Sequence, residues 1–137
     1  MSDRQRPSGQ GEEEGARPRS PLLDWAYLDT CLQHGIPEAR LLQMVDLFER
    51  RFAEDRLHLL EALEAADLAR VRASAHRLKG SSGSIGLATL RSRAAAIEAA
   101  AKGGDPAACQ SALEGFQEVG AASIQAFRDH LRTHAPQ

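Results

Sequence analysis

Residues 75–86 read AHRLKGSSGSIG. His76 is followed three positions later by Lys79, and then by Gly80, Gly83 and Gly86 among serines. An imidazole is substantially unprotonated near neutral pH, so one ring nitrogen offers a lone pair. Glycines beside it leave the surface bare, so another protein can bring a reactive group up to the ring. The chemistry these residue types allow is attack by an imidazole nitrogen on a group that a partner carries.

That chemistry needs a rigid element, and the flanking sequence supplies helical material. Leu68, Val71, Ala75, Leu78, Ser82 and Ile85 recur at helical spacing after a capping Asp67, which predicts a helix running through the glycines. His76 falls on the flank of its buried stripe, with Arg72, Lys79, Gly80 and Gly83 on the same exposed side. A glycine inside a helix costs about 0.8–1 kcal/mol relative to Ala, so two of them need a reason. A loop beginning after Lys79 is one explanation, but Ser82 and Ile85 continue the buried period. A phosphate-cradling GxxGxxG loop is another, but it needs a preceding strand and a GK[ST] ending, whereas here the lysine comes first. A strip kept free of side chains fits the spacing best.

The remaining elements follow from the same pattern. Asp24 caps a short helix with Trp25, Leu28 and Leu32 inward, ending near Gly35. Pro37 opens a long amphipathic helix that buries Leu41, Val45, Phe48, Phe52, Leu59 and Leu63. After Gly86 a further helix carries Leu90, Ala94, Ile97 and Ala101 inward. The sequence GGDP at 103–106 stops it and starts a last helix with Cys109, Leu113, Phe116, Gly120, Ile124, Phe127 and Leu131 on one side. Short links make neighbours antiparallel. The expected fold is all-α: an up-down antiparallel four-helix bundle with a short extra N-terminal helix over residues 21–134. Residues 1–20, polar and rich in Gly and Pro, are expected to form a disordered tail.

On this framework the chain resembles the histidine-containing phosphotransfer (HPt) domains of multistep phosphorelays. The pattern is a histidine, then Leu-Lys-Gly, small residues, and a glycine ten positions after the histidine. It is carried here by His76, Leu78, Lys79, Gly80, Ser81, Ser82 and Gly86. The likeness extends from about Leu22 to Leu131 and includes Leu47-Phe48 and Ile97-Glu98.

The resemblance implies that His76 accepts a phosphoryl group from a receiver-domain aspartate and passes it to a response regulator. It also implies that Glu98, on the facing helix, accepts a hydrogen bond from the ring's Nδ1–H and leaves Nε2 free. Read without it, Glu98 is a solvated acid spaced i, i+4 from Lys102. Lys79 lies on the side from which a cation reaches phosphoryl oxygens, and Lys102 corresponds to a basic position near the site in related domains. They are the chain's only lysines; Arg supplies every other fixed side-chain cation. The catalytic set is thus His76, Lys79, Gly80, Glu98 and Lys102. Docking of the partner is expected on Arg72, Gly83 and an exposed apolar patch of Tyr27, Cys31, Leu41 and Met44.

Composition restricts the alternatives. Of the 137 residues, 42% are hydrophobic and only 4% aromatic, which favours close-packed helices over a sheet. A net charge of −2 gives no reason to expect a nucleic-acid partner. Cys31 and Cys109 lie far apart and read as buried apolar residues. No apolar run suggests a signal peptide or a membrane span, so a cytoplasmic monomer is expected. No nucleotide-binding motif is present, so a carrier is expected and not a kinase. It needs no cofactor of its own, with Mg²⁺ supplied by the receiver domain, and its partners are receiver domains of response regulators or of a hybrid histidine kinase. His34 and His58 read as isolated surface residues. The HxxxH spacing of His130 and His134 lacks the Glu of a metal-binding HExxH. Three rivals remain: the dimerisation helix pair of a sensor kinase, a plain helical adaptor, and a metal-binding bundle. The first expects an ATP-binding domain and the last expects ExxH pairs.

Overall fold

Three aspartates begin helices. In the computed structural model, which describes residues 19–133, the Asp24 carboxylate accepts from the Tyr27 amide at the start of α1, Trp25–Gln33. Asp67 does the same for the Arg70 amide in α3, Leu68–Ser84. Asp105 accepts from the Ala108 amide in α5, Pro106–Leu113, where Pro106 occupies the first turn. Each side chain satisfies an amide that the helix leaves without an internal partner. Between them run α2, Glu38–Glu64, and α4, Ala88–Lys102; α6, Phe116–Thr133, closes the chain.

The long helices form a closed ring in which α2 packs on α3, α3 on α4, α4 on α6, and α6 back on α2. The fold is all-α, a helical bundle with the extra N-terminal helix. Val45, Leu59, Val71, Leu78, Leu90, Ile97 and Phe127 lie in one continuous core. Arg128 on α6 reaches Asp46 and Glu49 on α2 at 2.6 and 2.8 Å. Helix α1 covers one end of the bundle. The Asp24 amide donates to the Gly86 carbonyl there, and the Tyr27 hydroxyl donates to the Ser84 carbonyl at 2.6 Å.

Two expectations need correction. The last helix is not continuous: α5 ends at Leu113 and α6 begins at Phe116. Gly115 adopts φ +74°, a left-handed conformation that glycine enters without penalty, and Arg93 on α4 donates to the freed carbonyl of Glu114. The apolar spacing runs unbroken across the joint because Leu113 and Phe116 still face the bundle. The apolar docking patch does not form either. Leu41 and Cys31, only 1% and 8% exposed, belong to the core because the leading helix folds over this end. Tyr27 and Met44 are half-buried against it.

The tail expected over residues 1–20 lies outside the described residues except for Arg19 and Ser20. Arg19 pairs with Asp29 at 3.0 Å, and the Ser20 carbonyl accepts from Trp25 Nε1 at 2.6 Å. His134 is also outside the described residues. His130 is buried, with its ring edge-on to Trp25 at 4.7 Å, while His34 and His58 are exposed.

Candidate functional site

Helix α3 continues through Gly80 and Gly83 to Ser84, so GSSGS is neither a loop nor a phosphate cradle. Ser82 and Ile85 are buried and hold this last stretch against the core. Gly86, at φ +76°, ends the helix with the Tyr27 ring packed where a side chain would stand.

His76 sits mid-helix on the outer flank, and its side chain is 67% exposed. Its Nδ1 lies 2.8 Å from Oε2 of Glu98 on α4. A carboxylate can only accept at this distance, so Nδ1 carries the proton and the neutral ring keeps its lone pair on Nε2. The other carboxylate oxygen, Oε1, lies 2.8 Å from Lys79 Nζ. Glu98 is 18% exposed and Lys79 30%. The hydrogen bonds from Lys79 and then His76 hold the Glu98 carboxyl below the usual carboxylate range. Glu98 therefore stays ionised and orients the ring from beneath.

Of the other residues singled out in the sequence, Gly80 has open space where a Cβ would project. Arg72 and Lys102 are exposed and pair with no described residue, and Lys102 is the last residue of α4. Glu98 thus pairs across the helix seam with Lys79 and not along its own helix with Lys102. Gly83 is not bare: Arg91 from α4 lies over it. A cleft of about 490 Å³ opens alongside between α3 and α4, lined by Lys79, Gly80, Gly83, Ser84, Arg91 and Ser92 among others. Sequence reasoning missed Arg91, because nothing in its spacing says that it reaches a glycine on another helix.

Among the described residues no group of three or more His, Cys, Asp or Glu gathers as metal ligands would. No described helix is long and apolar enough to cross a membrane.

Fold and site together define a helical-bundle protein that presents one oriented imidazole on an open helix face. The chain belongs to the Hpt domain family, whose family model matches residues 43–134. Comparison with curated proteins and with solved structures gave no match. Membership places the chain in histidine-containing phosphotransfer, the chemistry of two-component and phosphorelay signalling, in which Hpt domains interact with receiver domains and kinases.

Proposed function

We propose that this chain is a phosphocarrier that takes a phosphoryl group from a receiver-domain aspartate onto Nε2 of His76 and passes it to a response regulator. The observation that carries this reading is the 2.8 Å contact between His76 Nδ1 and Glu98, on a ring whose far side faces solvent.

In the step itself the Nε2 lone pair forms an N–P bond as the P–O bond of the aspartyl phosphate breaks. The partner's carboxylate leaves with that electron pair. The proton on Nδ1 stays in place, so the phosphorylated ring carries positive charge, which the ionised Glu98 offsets. Lys79 already lies at Glu98 and can turn to share the phosphoryl oxygens. Lys102, one turn beyond Glu98, supplies a further cation at this face. A phosphoryl group spreads charge over its oxygens during transfer, and placed cations are the main help a protein can give it. Mg²⁺ is held on the receiver's side in this reading, and the chain works as a cytoplasmic monomer without kinase activity or a cofactor of its own.

Substituting His76→Gln tests the reading. A receiver domain phosphorylated on its aspartate is expected to transfer acid-labile label to the wild-type chain and none to the variant, with helicity by circular dichroism unchanged. Undiminished label on the variant would overturn the assignment.

A further inference from the structure

Charge is unevenly spread over this chain. Helix α3 carries Arg70, Arg72, Arg77 and Lys79 and no carboxylate. Helix α4 carries Arg91, Arg93 and Lys102 against Glu98 alone. Helix α2, with seven Asp and Glu to four Arg, is acidic. The net charge of −2 thus conceals a cationic α3–α4 side. The acids bordering its cleft are engaged internally: Glu98 holds Lys79 and His76, and Asp24 caps α1.

Arg91 has an unusual seat there. Its Cδ lies 2.9 Å and its Nε 3.1 Å from where a Cβ on Gly83 would stand. The side chain therefore lies flat across α3 in room that only glycine leaves. Arg91 is exposed, and its guanidinium makes no hydrogen bond or ion pair with any described residue. The two glycines within α3 serve different ends, since Gly80 borders open space and Gly83 seats an arginine.

We propose that Arg91, seated on Gly83, is a specificity-determining cation of the receiver-docking surface, receiving the anionic rim of the partner's phosphorylation site. This rests on the phosphocarrier reading above. A phosphorylated aspartate presents close to two negative charges near neutral pH, so an incoming receiver brings an anion to this side. Opposed charge speeds encounter and fixes register. The guanidinium fork suits carboxylate and phosphate oxygens, and a side chain already laid against a helix loses less freedom when it is engaged.

The test uses the full chain and a panel of purified receiver domains, each phosphorylated with acetyl phosphate, with label transfer followed at several salt concentrations. Arg91→Glu is expected to slow transfer roughly tenfold at low salt, with the deficit shrinking as salt rises. Gly83→Ala pushes Arg91 off its seat while favouring the helix, so it gives a comparable loss with Tm unchanged or raised. The double variant Gly83→Ala with Arg91→Ala is expected to be no slower than Arg91→Ala alone. Labelling of His76 by phosphoramidate, a small donor that needs no docking surface, separates a docking defect from a damaged imidazole and is expected to persist in all of them. A wild-type rate in Arg91→Glu at every salt concentration overturns the proposal and leaves the carrier reading standing. A further loss in the double variant overturns the seat. A wild-type chain that takes label from no receiver overturns the carrier reading, and this proposal with it.

Discussion

Lys79 Nζ lies 2.8 Å from Glu98 Oε1, an ion pair that joins α3 to α4 at the carboxylate that also holds His76 Nδ1. One acid thus serves two donors a turn apart on the opposing helix, and each leaves it an oxygen for the other. Glu98→Ala removes both contacts and frees the ring to turn. Phosphotransfer to that variant is expected to fall about ten- to a hundredfold, the scale of a lost charged hydrogen bond. Glu98→Gln keeps an acceptor for Nδ1–H and is expected to stay within a few-fold of wild type. Single-turnover transfer rates check both; equal losses in the two variants would show that orientation through an acceptor is not what matters.

The same pair sets a pH dependence. The Glu98 carboxyl titrates below the usual range in the folded chain, with Lys79 the larger cause and His76 the second. Because the folded value lies below the unfolded one, the stabilisation is fully present above the ordinary carboxylate range and is lost as pH falls through the folded value. The stability gap between wild type and Glu98→Gln is therefore expected to close in acid, measured by denaturant midpoints across a pH series. Carboxylate NMR titration should find the Glu98 value raised more by Lys79→Ala than by His76→Gln.

Gly80 borders open space in this chain, so the structure itself does not require its missing side chain. Gly80→Ala is expected to stabilise α3 by about 1 kcal/mol, the helix-propensity difference. In the carrier reading the same methyl sits on the strip a partner must approach. Transfer from a phosphorylated receiver is expected to slow as Tm rises, and Gly80→Gln to slow it further. Thermal melts and label transfer on the same preparations decide the matter.

Gly120 is the opposite case. A Cβ there would overlap the Phe52 ring, which in turn packs on Phe116 at 5.5 Å. Overpacking of this kind costs about 1–3 kcal/mol. Gly120→Ala is therefore expected to lower the unfolding free energy from urea titration by about that amount, while transfer per folded molecule stays at the wild-type rate.

Much of this site was legible from periodicity. Ser82 and Ile85 continue the buried stripe of α3, and that continuity is enough to carry the helix through residues that disfavour it. Asp24, Asp67 and Asp105 announce helix starts because short acidic side chains reach the first free amides. The same periodicity misled at Leu113 and Phe116, where a left-handed glycine turns the chain while the apolar phase is preserved. The docking-patch reading fails at Cys31 and Leu41, although the period of α2 by itself places Leu41 inward. A surplus of apolar residues on α2 marks a second contact surface, but spacing does not say whether α1 or a partner fills it.

Residue spacing alone gives the helical segments apart from the break at Glu114 and Gly115, the buried face of each, and the place of His76 on an outer flank with glycines after it. Those are properties of single helices, fixed by a 3.6-residue period and by local capping. Tertiary structure alone decided that Glu98 meets Lys79 and His76 instead of Lys102, and that Arg91 rests on Gly83. Such pairings depend on the axial register of one helix against its neighbour, which is set by how the whole core interdigitates and by the length of the turn at Gly86.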